Sequence, residues 1–150
     1  MCLAELLIRP AARDDFPAIR SLIHNVQINP TGLDWRRFLV AISPEGNLLG
    51  CGQIKSHVDG SRELASIAVQ EQLRGKGVAR TIIEALLARE PERPLYLMCR
   101  ARLRTLYNKF GFRAIGLDEM PPYFLRISRV ERIFNSKAQP DDRLLVMKLE

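Results

Sequence analysis

One stretch constrains the fold more than any other. Leu64 to Val69 is an apolar run of strand length, Arg74-Gly75-Lys76-Gly77 follows, and Val78, Ala79, Ile82, Ile83, Leu86 and Leu87 then repeat at helical spacing. A strand that runs into a glycine turn and opens a helix leaves the first backbone N–H groups of that helix without partners. The helix dipole adds partial positive charge at the same place. Such a turn holds phosphate well: Gly75 and Gly77 let the backbone approach closely, and Arg74, Lys76 and Arg80 add full charges. The plainer alternative is that the glycines only make a tight connection. The spacing is not that of a Gly-x-x-x-x-Gly-Lys-Ser/Thr loop. The third glycine of a dinucleotide fingerprint is also missing, although that fingerprint tolerates alanine there.

The flanking pattern sets the fold class. Leu6-Leu7-Ile8 begins a strand; Asp14 and Asp15 offer an N-cap before Phe16, Ile19, Leu22, Ile23 and Val26 at helical spacing. After Asn29-Pro30-Thr31-Gly32 come three apolar runs, Phe38–Ile42, Leu48–Ile54 and Leu64–Val69. They are joined by turns at Pro44-Glu45-Gly46-Asn47 and Asp59-Gly60, as in an antiparallel meander. A dinucleotide fold would need a parallel βαβ unit at this point. Beyond the glycine turn and its helix lie a strand at Leu95–Cys99 and a short helix on Leu103, Leu106, Tyr107 and Phe110. Gly111 is placed to stop that helix, and a last strand covers Leu144–Leu149. The expected class is α/β (α+β): a single mixed, mainly antiparallel sheet flanked by helices, in one domain spanning residues 1–150. The segment at about 118–142 stands apart. In it, Met120–Phe134 reads as a proline-started amphipathic helix with Phe124, Ile127, Val130, Ile133 and Phe134 on one side and Arg126, Arg129 and Arg132 spaced by three.

Composition narrows the function classes. The chain carries 23 Lys+Arg against 17 Asp+Glu, a formal charge of +6. Ten of the basic residues but only three acids fall between Arg74 and Arg113, so the excess lies wholly in the segment that starts at the glycine turn. A small polyanion is enough to rationalise this. A nucleic-acid module would want aromatic residues among the basic ones, yet Phe, Trp and Tyr make up only 7% of the chain. Cys2, Cys51 and Cys99 are odd in number and far apart, which points to a reducing compartment, and two histidines make a multi-histidine metal site improbable. With no apolar run of membrane-spanning length and no leader pattern, the expected location is the cytoplasm.

At Arg74-Gly75-Lys76-Gly77-Val78-Ala79 the sequence resembles the GNAT superfamily of acetyl-CoA-dependent N-acetyltransferases, whose signature is Gln/Arg-x-x-Gly-x-Gly/Ala. Tyr107-Asn-Lys-Phe-Gly111-Phe112 matches a second family feature, Tyr-x-x-x-Gly-Phe. The resemblance covers roughly residues 4–116 and the last strand. It implies transfer of the acetyl group of acetyl-CoA to a primary amine of a small molecule, an amino acid being one candidate, by direct attack. By similarity, the coenzyme pyrophosphate would rest on the amides from Arg74 to Ala79, with Arg80 beside them. The pantetheine arm would pair with the backbone of Ile67, Ala68 and Val69, where an N–H near Val69 stabilises the oxyanion. Glu63 matches a position where several members carry the base that neutralises the amine, and His57 is the alternative base. Glu63 as an ordinary strand-end carboxylate paired with Arg62 or solvent is the competing reading. Tyr107 matches the tyrosine that protonates the departing thiolate, or is simply a core aromatic.

Arg100 and Leu103 depart from the family's asparagine and alanine; Arg100 offers a phosphate contact in place of the neutral one. Tyr123 and Arg126 are the candidates to grip a substrate carboxylate. The expected partners are a small-molecule amine acceptor and, as an oligomeric option, a second copy in a homodimer; no metal, nucleic acid or membrane is expected. The competing functions are a basic nucleic-acid-binding module and a catalytically inactive coenzyme A sensor.

Overall fold

The computed structural model describes residues 5–150, so Cys2 lies outside the described residues. Strands β1 (Leu7–Pro10), β2 (Phe38–Ile42), β3 (Leu48–Ser56), β4 (Arg62–Val69), β5 (Leu95–Arg100), β6 (Arg113–Ala114) and β7 (Leu144–Leu149) are interleaved with four helices. These are α1 (Phe16–Asn25), α2 (Val78–Arg89), α3 (Arg104–Asn108) and α4 (Pro122–Phe134). The strands are hydrogen-bonded in the order β1-β2-β3-β4-β5-β7-β6, a mixed seven-stranded sheet. The pairs β1–β2, β2–β3, β5–β7 and β6–β7 are antiparallel, and β4 meets β5 in parallel at Glu63 and Tyr96. The expected mixed, mainly antiparallel sheet with flanking helices is what forms. Its contacts divide the chain into two compact units, Met1–Lys55 with Leu64–Pro91, and Ser56–Glu63 with Glu92–Glu150.

In the first unit β2 is buried at every position, which explains why Phe38–Ile42 reads as a continuous apolar run instead of alternating. Phe38, Val40 and Ile42 join Ile19, Leu22 and Ile23 of α1 in one cluster. On α2, Val78, Ile82, Ile83 and Leu86 are buried, as the stripe requires. Gly52 of β3 admits this helix: a Cβ there would come within 2.6 Å of Ile67 Cδ1 and 3.0 Å of Ile82 Cγ2. The N-cap expected of Asp15 is displaced. Its carboxylate accepts from the Ala12 amide at 2.6 Å and pairs with Arg9 at 2.7 Å, so it caps the single 3-10 turn ahead of α1 and makes no side-chain cap for α1 itself.

In the second unit α4 lies over the sheet through Phe124, which clusters with Tyr96 and Val146. The expected apolar stripe is corrected here. Phe124 and Ser128, four residues apart, are the buried positions of α4, while Val130, Ile133 and Phe134 are 53%, 73% and 80% exposed. The face towards the sheet is set by where the Phe124 ring packs, and the remaining apolar residues end on the outside. The short helix differs too, because Ala101–Leu103 forms a 3-10 turn before α3 and Leu103 is left exposed. Gly111 stops α3 as expected, with φ +97° and the Phe112 amide donating to the Tyr107 carbonyl.

Candidate active site

The glycine turn belongs to the first unit. After Val69 the chain makes a 3-10 turn at Glu71–Leu73 and enters α2 through Gly75 and Gly77, at φ +77° and +87°. These left-handed conformations cost a side chain about 1–2 kcal/mol, so glycine at both positions is a backbone requirement. Gly77 is the N-cap of α2 and carries no side chain to satisfy the first-turn amides, which stay available to an anion. Arg74 and Lys76 are exposed beside them. Arg80 is also exposed, but its Nε donates to Glu84 Oε1 at 2.9 Å along the helix.

Upstream of the turn, Ser66 adopts φ +59° inside β4, an unusual conformation for a residue with a side chain. The buried Gln53 holds it, with Nε2 donating to Ser66 Oγ at 2.8 Å and to the Gly32 carbonyl at 3.3 Å. The irregularity breaks the two-residue alternation of β4. Ala65, Ser66 and Ile67 are half-buried in succession, then Ala68 and Val69 are both buried. Sequence reasoning missed this pair. The available signal was a glutamine inside the Leu48–Ile54 run and a serine inside Leu64–Val69.

In the second unit the two alternative bases come together. Glu63, 4% exposed, lies on β4, and its Oε1 is 2.8 Å from His57 Nε2 at the start of the hairpin that joins β3 to β4. The Tyr123 ring stacks on the imidazole, with centroids 3.5 Å apart and planes 15° from parallel, and Phe124 meets the imidazole edge-on at 5.7 Å. Arg62, the partner named in the plainer reading of Glu63, reaches Glu92 at 3.1 Å. Asp59 was not foreseen. Its Oδ2 accepts from the Tyr123 amide at 2.9 Å and its Oδ1 accepts from Ser61, so one carboxylate joins the hairpin turn to the first turn of α4. These hydrogen bonds, Ser61's first, hold the Asp59 carboxyl below its usual range. Burial, with the Glu63 charge as a further cause, raises the Tyr123 phenol. Arg126, the other acceptor candidate, is exposed.

Tyr107 is buried on α3, its ring edge-on to Phe112 at 6.3 Å. Burial, reinforced by Cys99, pushes its phenol up to about 12. Arg100 does not have a free guanidinium to offer a phosphate: Nη1 lies 2.7 Å from Glu131 Oε1 and 3.1 Å from the Asp142 carbonyl. Cys51 and Cys99 are free thiols. Among the described residues, no group of three or more His, Cys, Asp or Glu side chains is arranged to hold a metal ion. No described helix is long and apolar enough to cross a membrane.

Comparison with known proteins bears on the whole arrangement. Among solved structures, Rv2747 of Mycobacterium tuberculosis, crystallised with CoA and NLQ, is 21% identical with a TM-score of 0.71, over 95% of this chain and 98% of that one. N-acetylglutamate synthase of Neisseria gonorrhoeae, complexed with coenzyme A and N-acetyl-glutamate, is 20% identical with a TM-score of 0.71. That match covers 97% of this chain but only 35% of the synthase. Escherichia coli ElaA is 17% identical with a TM-score of 0.67, over 97% and 99% of the two chains. At these identities the likeness is one of fold. No protein of curated function matches the chain. A family model described as an acetyltransferase (GNAT) domain matches residues 34–114, from the segment before β2 to β6 and including both the glycine turn and Tyr107. More than half of the chain is covered, so the protein belongs to the GNAT acetyltransferases, acyltransferases that take their acyl group from an acyl-coenzyme A thioester.

Proposed function

We propose that the chain transfers the acetyl group of acetyl-CoA to the primary amine of a small molecule, an amino acid being the favoured class, by direct attack on the thioester. Residues 1–150 would act as one catalytic domain in the cytoplasm, where free Cys51 and Cys99 stay reduced. The reading rests on one observation above the rest, the buried Glu63–His57 pair at 2.8 Å. An amine attacks only when neutral. A carboxylate hydrogen-bonded to an imidazole provides a path by which a proton is taken up and passed on. In this reading Glu63 is the base and His57 hands the proton on, with Tyr123 as a wall of the acceptor site and Arg126 at its rim.

On the donor side, the amides from Arg74 to Ala79 receive the pyrophosphate, with the Arg74, Lys76 and Arg80 side chains around it. The backbone of Ile67, Ala68 and Val69 pairs with the pantetheine arm, and an N–H near Val69 meets the developing oxyanion. Attack forms the N–C bond, the tetrahedral intermediate collapses with loss of the C–S bond, and the thiolate leaves. Tyr107 donates a hydrogen bond to that sulfur. With its phenol raised to about 12, it is a weaker acid than a thiol, near 8.5, and keeps its proton after donating.

A titration with acetyl-CoA followed by thiol-release assays over a panel of amines tests the reading. Glu63→Gln should lower kcat by about 10²-fold or more without changing acetyl-CoA affinity. Binding with no turnover on any amine would favour a coenzyme A sensor instead.

A further inference from the structure

A cavity of about 560 Å³ opens in the second unit between the later part of α4 and the start of β7, and neither Glu63 nor His57 lines it. The size falls in the range of small-molecule sites. Its apolar wall includes Ile115, Met120 and Val146, and its polar side carries Ser128, Arg132 and Arg143. Three observations define the ligand chemistry. Ser128 is only 8% exposed and lines the space, so a short hydroxyl side chain, both donor and acceptor, belongs to the wall. The one carboxylate in the lining, Glu131, is already matched by Arg100 at 2.7 Å, and that contact holds it ionised below the usual carboxylate range. Neither the Arg132 nor the Arg143 guanidinium has an acidic partner among the described residues, so the charge left over at the rim is positive.

We propose that this cavity anchors the acyl acceptor by a carboxylate and an apolar substituent: Arg132 and Arg143 take the carboxylate, Ser128 hydrogen-bonds to it, and the Ile115–Met120–Val146 wall receives the hydrocarbon. The acceptor is then an amine that also bears a carboxylate and an aliphatic or aromatic group. This assigns the carboxylate to Arg132, six residues beyond Arg126 on α4, and to Arg143, just before β7. Calling the ligand the acceptor rests on the acetyl-transfer reading, whereas the cavity's preference for an apolar carboxylate does not.

The probe is 4-methylpentanoate, an apolar carboxylate without an amine, titrated calorimetrically into the full chain beside its neutral amide. The carboxylate should bind saturably and the amide roughly tenfold or more weakly, since the amide forfeits the charge-assisted bonds. The Arg132→Gln/Arg143→Gln double variant, altered only at exposed residues, should lose roughly tenfold in carboxylate affinity while coenzyme A affinity is unchanged. Ser128→Ala should show a smaller loss. No saturable binding, equal affinity for the amide, or an unaffected double variant overturns the site. In the transfer assay the carboxylate should compete with the accepted amine; binding without competition overturns the acceptor assignment alone. Failure to bind coenzyme A would instead count against the acetyl-transfer reading and leave the cavity result standing.

Discussion

At the scale of single residues, the environment of each titratable group decides what it can do. Glu63 is buried, and its carboxylate has a hydrogen-bond partner in His57 within 2.8 Å, so its burial costs the fold little, and in the proposed function this pair moves the amine proton. Tyr107 is buried without such a partner for its charged form, and its phenol rises from an ordinary 10 to about 12. A folded value above the unfolded one means that the native state holds the proton longer. That contribution to stability is present below about 10 and is lost as the pH climbs towards 12. In an absorbance titration of the three tyrosines, one phenol should ionise last, and Tyr107→Phe should remove that late step. The same variant should lower kcat with little change in acetyl-CoA affinity.

At the scale of elements, two junctions enter the proposed function, and each has a simple test. The first is the glycine entry to α2. Gly77→Glu puts a side chain at φ +87° and a negative charge among amides that would meet pyrophosphate, so coenzyme A affinity should fall by at least about a hundredfold in a calorimetric titration. The conformational cost alone, about 1–2 kcal/mol, should leave the chain folded by circular dichroism. The second junction is the start of α4, where Asp59 accepts from the Tyr123 amide. Since the folded Asp59 carboxyl lies below its ordinary value, this contact persists into mild acid, and its contribution is lost only as the pH falls through the lowered value. Asp59→Ala should loosen the Tyr123–His57 stack. Amide exchange at Tyr123 should rise, and kcat should drop more than acetyl-CoA affinity.

For the whole molecule, the distribution of charge is the property that folding rearranges most. Between Arg74 and Arg113 the sequence concentrates ten basic residues, yet several are matched from further along the chain. Arg100 meets Glu131, Arg102 meets Asp142, and Arg113 meets Glu119 and Glu150. Exposed pairs of this kind mainly cancel field and add little stability. Arg74 and Lys76, at the glycine turn, keep their charge for a ligand. Replacing both with alanine should weaken coenzyme A binding and flatten its salt dependence, while Arg102→Ala with Arg113→Ala should change neither measurably.

How much of this was legible beforehand differs by kind of feature. The sequence alone determined the strand and helix order, the glycine turn and the Tyr107–Gly111–Phe112 pattern. Periodicity and left-handed turns are local, and residue types encode them directly. It also named Glu63 and His57, but as alternatives, because six positions of chain separate them and nothing linear shows that a hairpin closes them to 2.8 Å. Other features needed the tertiary structure. Asp59 reaches across 64 positions to α4, Gln53 holds Ser66 from a neighbouring strand, and packing of Phe124 turns Ser128 inward and Ile133 outward. The charge excess was countable in the sequence, but which arginines remain free was decided only when distant acids folded onto the others, because Coulomb interactions depend on distance in space and not along the chain.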